Sequence, residues 1–144
     1  MLPPHIEAMH NAPVWRRMGM RVTRAADGEA TVEMALSEDM FQIYGQVHGG
    51  VLGTLLDSAM AAAIATVTGP DSEDVTTAMS VYYLRPARTG PLVAHGSVRR
   101  RQGRRIVADG TIVGPDGETV AYASAEFAVR PRHPAGSSAS PSPS

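Results

Sequence analysis

The sequence predicts an α+β fold: an antiparallel sheet of about six strands wrapped around one long central helix. Three observations carry this. Residues 49–67 repeat apolar side chains at helical spacing and are apolar nearly all round, so the helix they form should be buried on most sides. Four β-patterned runs follow it with no crossover helix between them, which excludes a parallel sheet. Two more runs precede it, on either side of a hairpin turn signal at Asp27-Gly28.

The elements follow in order. Residues 3–18 read as a short amphipathic helix with Pro3 and Pro4 near its start. Met20–Arg24 and Ala30–Leu36 flank the Asp27-Gly28 turn, and Val32, Met34 and Leu36 alternate with Glu33 and Ala35 as a half-buried strand requires. Glu38 to Gly45 is read as loop. In the long helix Leu52, Leu55, Leu56, Ala59, Ala63 and Val67 form the apolar pattern, and Gly69-Pro70 ends it. Val75–Leu84 is the next strand; Pro91–Arg101 and Arg104–Val113 join at Gln102-Gly103; Pro115-Asp116-Gly117 turns into Glu118–Arg130. These last four strands are expected to form a meander. Residues 1–130 make one domain. The Pro-, Ser-, Ala- and Gly-rich stretch 131–144 cannot bury a core and is expected to be a disordered tail.

Composition narrows the function classes. A net charge of −1 gives no global attraction to nucleic acid or membrane. The basic residues are unevenly placed: all 13 are Arg, and seven of them (Arg85, Arg88, Arg99, Arg100, Arg101, Arg104, Arg105) fall in a stretch without acids. With no Cys, disulfides, thiolate nucleophiles and Cys-ligated metals are excluded. No apolar run is expected to reach the roughly 18 residues of a membrane span, because Asp57, two Thr and a Ser interrupt residues 50–67. No signal peptide is expected, and a cytoplasmic location fits.

The chemistry concentrates in Gln42-Ile43-Tyr44-Gly45-Gln46-Val47-His48-Gly49-Gly50 and the helix behind it. Gly49 and Gly50 open the helix and leave uncovered backbone N–H groups where the dipole favours negative charge. Asp57, two turns in, is the only ionisable residue between His48 and Asp71. A carboxylate on an apolar helix is costly unless it has a task or a hidden counter-charge. An anion site and a carboxylate on one element suggest acyl transfer. Gly53, Asp57 and Ala61 lie four apart on one stripe, which leaves room for a ligand or for a close packing partner. No second carboxylate is evident nearby. His48 is read as a structural ring that fixes the loop, with direct catalysis the lesser alternative. Ser58, Thr54, Thr76 and Thr77 are potential helpers. There is no Gly-x-Ser-x-Gly elbow, and His5, Glu7 and His10 lack the spacing of a metal motif, so no metal is expected.

His-Gly-Gly leading into a helix, Asp nine residues after the His, and strands behind resemble the acyl-CoA thioesterases of the phenylacetate-degradation (PaaI-like) type. The resemblance covers about residues 14–130 and extends to Val81-Tyr82-Tyr83-Leu84-Arg85-Pro86-Ala87-Arg88-Thr89-Gly90, Gly117 and Val120-Ala121. It implies a hotdog fold and hydrolysis of an acyl-CoA or acyl-carrier-protein thioester. It implies Asp57 as nucleophile or general base, and a Gly49 N–H that polarises the thioester carbonyl, with Gly50 and His48 in support. It implies an amide side chain, here Gln42, that holds water or substrate. PaaI-like members usually carry Asn there; Gln is similar to the 4-hydroxybenzoyl-CoA thioesterases. It also implies a homodimer or homotetramer in which Asp57 of one subunit meets Gln42 and Gly49 of another.

The residues support such chemistry physically. A preorganised N–H donor facing a developing oxyanion lowers the barrier by about 3 kcal/mol. A thiolate departs without an acid, so no second catalytic carboxylate is needed; no cofactor is expected, coenzyme A being part of the substrate. Arg85 and Arg88, near the expected cleft, are the better phosphate contacts, and the Arg99–Arg105 run the lesser. Three rivals stand beside hydrolysis: a non-catalytic acyl-CoA-binding module, a hydratase or dehydratase on the same fold, and nucleic-acid binding by the Arg run. That run lacks the interleaved aromatics of single-strand binders.

Overall fold

A computed structural model describes residues 1–133; the expected tail beyond Arg132 and His133 lies outside the described residues. The elements are α1 (Pro4–Glu7), a 3-10 turn (Ala8–Asn11), α2 (Pro13–Met18), β1 (Met20–Ala26), β2 (Glu29–Met34), a 3-10 turn (Glu38–Met40), α3 (Gly49–Thr68), β3 (Ser72–Tyr83), β4 (Leu92–Gln102), β5 (Arg105–Val113) and β6 (Thr119–Pro131). One six-stranded antiparallel sheet results, in the order β1-β2-β4-β5-β6-β3, with α3 against one face.

Local chemistry sets most of these elements. Asp27 and Gly28 both take positive φ (54° and 82°), as a two-residue hairpin turn demands. The expected single N-terminal helix is broken instead: Pro13 opens a second helix, and Ala12 before it is extended at ψ 135°. His10 then closes the break, its Nε2 accepting from the Val22 N–H at 2.9 Å, while His5 Nε2 bonds the Ala65 carbonyl at 3.0 Å. Both rings are therefore engaged by backbone. Part of the expected loop 38–45 is a 3-10 turn, and Pro131 extends β6 rather than starting a tail.

The expected four-strand meander is corrected to a three-strand one. β4, β5 and β6 are successive neighbours, but β3 lies beyond β6 at the sheet edge, and β4 pairs with β2. The cause lies in the 84–91 link. It carries Pro86 and Pro91, which cannot donate to a ladder, and it crosses the end of the sheet. On the way the Leu84 and Arg85 N–H groups both reach the Val120 carbonyl, and the Ala87 carbonyl accepts from Val47 N–H.

α3 lies in the cup of the sheet. By length and composition it is apolar enough to cross a membrane, against the expected shortfall; here it is the core helix, with ten of its residues buried. The sheet makes room with small side chains. Gly96 of β4 and Gly110 of β5 are cross-strand partners directly beneath the helix. A Cβ on Gly96 would stand 2.2 Å from the Ala59 carbonyl oxygen, so the helix backbone touches the sheet backbone there. Leu55, Leu56, Met60 and Ile64 fill the cup against Leu92, Ile106, Ile112 and Phe127.

Candidate active site

The site starts from how α3 begins. His48 is the N-cap, and its ring Nδ1 accepts from the Gly50 N–H at 2.9 Å. The Val51 and Leu52 N–H groups go to the His48 carbonyl, at 2.9 and 3.3 Å. Gly49 N–H makes no hydrogen bond among the described residues. Of the two glycines, then, Gly49 holds the open donor and Gly50 is occupied by the cap. Each glycine also makes room for a ring. A Cβ on Gly49 would meet the Tyr83 ring at 3.3 Å, and one on Gly50 would meet the His48 ring at 3.1 Å.

Gln42 stands in a tight loop before the helix. Phe41 bridges Val47, Gln42 N–H donates to the Gln46 carbonyl at 2.9 Å, and Gln42 Oε1 accepts from Tyr44 N–H. With Oε1 used internally, the amide NH2 is the free end. Gln42, Gly49, Leu52, Tyr83 and Arg85 line one cleft of about 320 Å³. Arg85 also borders a second hollow of about 600 Å³, shared with Arg88, and its guanidinium lies 3.8 Å from Asp116 and 3.6 Å from Glu118. Arg88 faces the Tyr44 and Gly45 carbonyls at 3.5 Å.

Asp57 is not in this cleft. Eight residues of helix put its Cα about 12 Å along the axis from Gly49. It is half-buried rather than buried as expected, and it faces β3. The helix-side face of β3 follows the α3 stripe step by step. Tyr83 Oη donates to the Gly49 carbonyl at 2.9 Å, Met79 Cε lies 3.8 Å from a Cβ on Gly53, and Thr76 Oγ1 donates to Asp57 Oδ1 at 2.6 Å. Their partners across on β6, Ala121, Ala125 and Phe127, are core residues, which confirms that these side chains share the helix side. The space beside Gly53 in the stripe is thus taken by the Met79 and Tyr83 side chains.

A second carboxylate belongs to this region, contrary to the sequence expectation. Asp74 pairs with buried Val129 on β6, so it too points to the helix side. Burial, then the Asp57 charge, then Glu73, raise its pKa from 3.8 to about 6. Glu73 itself is held by Arg130 at 2.6 Å. Simple alternation hides both Thr76 and Asp74, because it groups 75, 77, 79, 81 and 83 on one face. A bulge between Thr76 and Ala78 shifts the register, so 74 and 76 join 79, 81 and 83.

A stability consequence follows from Asp74. Its folded-state pKa is raised, so the native state holds the proton more tightly than the unfolded chain does. The penalty is absent below pH 3.8, grows as pH rises, and is complete above about 6. Asp74→Asn is therefore expected to be more stable than the parent at pH 8, by about 1–2 kcal/mol after solvent screening, and no more stable at pH 3.5. Urea midpoints at the two pH values check this; equal differences at both would remove the carboxylate as the cause.

The Arg99–Arg105 run is at the far end of the molecule from the cleft. Arg101 Nη1 donates to the Val67 carbonyl at 3.2 Å, by the last turn of α3, a helix about 30 Å long that starts at Gly49. Arg99 pairs with Asp109 at 2.7 Å and Arg105 with Glu126 at 2.8 Å.

The thioesterase superfamily model matches residues 44–121, from the loop before α3 through the start of β6. An esterase-named protein of Halobacterium salinarum is 37% identical over 86 residues, covering 56% of each chain. Human acyl-coenzyme A thioesterase 13 is 31% identical over 87 residues, covering 59% of this chain and 61% of its own. The match thus spans less than two thirds of the length of either relative. The solved structure of the E. coli PaaI protein from the phenylacetic acid degradation operon superposes with a TM-score of 0.77 at 27% identity, over 83% of this chain and 86% of that one. A family match across more than half of the chain, on a long helix cupped by a six-stranded antiparallel sheet, makes this chain a member of the thioesterase superfamily, with its hotdog fold.

Proposed function

We propose that the protein hydrolyses an acyl-CoA or acyl-carrier-protein thioester to free acid and thiol, in a homodimer or a tetramer built from it. The observation that carries this is the division of labour at α3: Gly50 N–H is capped by His48, and Gly49 N–H is left open in a cleft with Gln42. The thioester oxygen accepts from Gly49 N–H, and the charge it gains is stabilised by the fixed donor and the helix dipole. The Gln42 amide holds the water or the acyl carbonyl. Either Asp57 attacks the carbonyl carbon, the thiolate leaves and water cleaves the resulting acyl–Asp57 anhydride to the free acid, or Asp57 takes a proton from a water that adds to the carbonyl and the thiolate leaves. Thr76 holds one Asp57 oxygen in place through its hydroxyl. Arg85 and Arg88 contact the phosphates of coenzyme A.

The dimer supplies what one chain separates. Asp57 of one protomer serves the Gly49 and Gln42 cleft of its partner. Three features support this. Asp57 and Gly49 are two helical turns apart in one chain. The helix stripe of Thr54, Asp57, Ala61 and Ala65 is only half-buried. And β3 is an edge strand with exposed Val75, Met79 and Tyr83, a template that a second copy covers.

Thiol release by the purified chain, over short, long, branched and aromatic acyl-CoAs and one carrier-protein thioester, tests the reading. Turnover of at least one class is expected. Thermal stabilisation by acyl-CoA with no thiol released would identify a binding module and overturn the hydrolytic reading.

A further inference from the structure

Tyr83 has no role in the chemistry proposed above, yet it touches the proposed oxyanion donor at two points. Its hydroxyl donates to the Gly49 carbonyl at 2.9 Å, and its ring packs where a Gly49 side chain would stand. It also walls the cleft that Gly49 and Gln42 share. A tyrosine 53% exposed on an edge strand has no need of that bond for burial.

The need lies in the helix. A preorganised donor must keep its direction, and a helix that opens Gly-Gly is poorly suited to that. Glycine in a helix costs about 1 kcal/mol relative to alanine, because it gives up more backbone freedom, and first turns fray. Alanine at either position would crowd the Tyr83 or the His48 ring, at 3.3 and 3.1 Å. The restraint therefore comes from outside the helix backbone. Gly50 has two ties, its N–H to His48 Nδ1 and its carbonyl to Thr54 Oγ1, each at 2.9 Å. Gly49 has one side-chain tie, the phenol of Tyr83, which reaches it from 34 residues away in sequence.

We infer that Tyr83 is a positioning residue, whose hydroxyl holds the Gly49 carbonyl, in the peptide that follows the donor, and so fixes the Gly49 backbone angles that direct its N–H into the cleft. This inference rests on the hydrolytic reading for its effect on rate, but not for its effect on the Gly49 amide.

Tyr83→Phe keeps the ring and the cleft wall and removes only the tether. Its kcat for the best acyl-CoA is expected to fall about five- to tenfold, the size of one neutral hydrogen bond, with KM within about twofold of the parent. The Gly49 amide, followed by its NMR order parameter, should become more mobile, while the amides of Leu55 and Leu56 in the helix centre stay as they were. A purely structural role would loosen the whole helix and leave kcat alone. Parental kcat in Tyr83→Phe, or an unchanged Gly49 order parameter, overturns the inference. If the parent itself turns over no thioester, the hydrolytic reading is what fails, and the order parameter alone decides the tether.

Discussion

Asp57→Asn is expected to fold, to dimerise and to lose thioester hydrolysis by about 10²–10⁴-fold, the range for removing a positioned acid-base group. The substitution is nearly isosteric. Asn keeps an oxygen in the place where Thr76 Oγ1 donates to Asp57 Oδ1, so the contact between α3 and β3 survives. What is lost is the negative charge and with it the ability to attack a carbonyl or accept a proton. A second readout comes from the neighbour. The Asp57 charge is the second cause of the raised Asp74 pKa, after burial. In Asp57→Asn the Asp74 value should fall from about 6 toward 3.8 without reaching it, because burial remains. Carboxyl NMR titration reads this directly. Parental turnover in the variant would take Asp57 out of the mechanism, whatever Asp74 does.

Gly96→Ala is expected to be the most damaging single methyl in the molecule. The added Cβ would lie 2.2 Å from the Ala59 carbonyl oxygen, 2.5 Å from its carbon and 2.8 Å from the Met60 nitrogen. All three are backbone atoms in the middle of α3, so no side chain can rotate away. Either the helix lifts off the sheet or β4 bends. Lifting the helix would open gaps around Leu55, Leu56 and Met60, all fully buried. Overpacking typically costs about 1–3 kcal/mol, and against backbone that cannot rotate away the cost is expected at about 3 kcal/mol or more, a large share of a small domain's stability. Gly103→Ala is the control. Gly103 has φ +61° but nothing within 4 Å of its Cβ position, so it bears only the left-handed backbone cost of about 1 kcal/mol. Thermal midpoints should fall by more than about 10 °C for the first and by a few degrees for the second. Equal losses would mean that α3 does not rest on β4 as closely as the structure has it.

The two substitutions probe different levels of what is legible in the chain. Asp57 stands out by composition alone, as a lone ionisable group in an apolar helix. The start and end of that helix are also local matters: His48 caps it, Gly49 and Gly50 open it, and Gly69 ends it. Gly96, by contrast, looks like an ordinary strand glycine. Its partner across the ladder is Gly110, and only the stacking of β4 and β5 under Ala59 shows that the pair is a seat for the helix. The placement of β3 was equally hidden. Reading the four late strands as a meander assumed that neighbours in sequence pair in space, and the Pro86 and Pro91 link sends the chain past β6 instead.

The sequence by itself determined the parts that depend on neighbours within a few residues: the buried helix and its ends, the Asp27-Gly28 turn and the strand segments. Those signals survive because helix periodicity, capping and turn geometry are short-range. Only the tertiary structure decided that Tyr83, Thr76 and Asp74 reach α3, and that the Arg99–Arg105 run lies far from the cleft. These turn on which strand ends beside which and, for Thr76 and Asp74, on a one-residue bulge at Thr76/Ala78. A slip of one residue sends every side chain beyond it to the opposite face of a strand, and no local pattern records where that slip occurs.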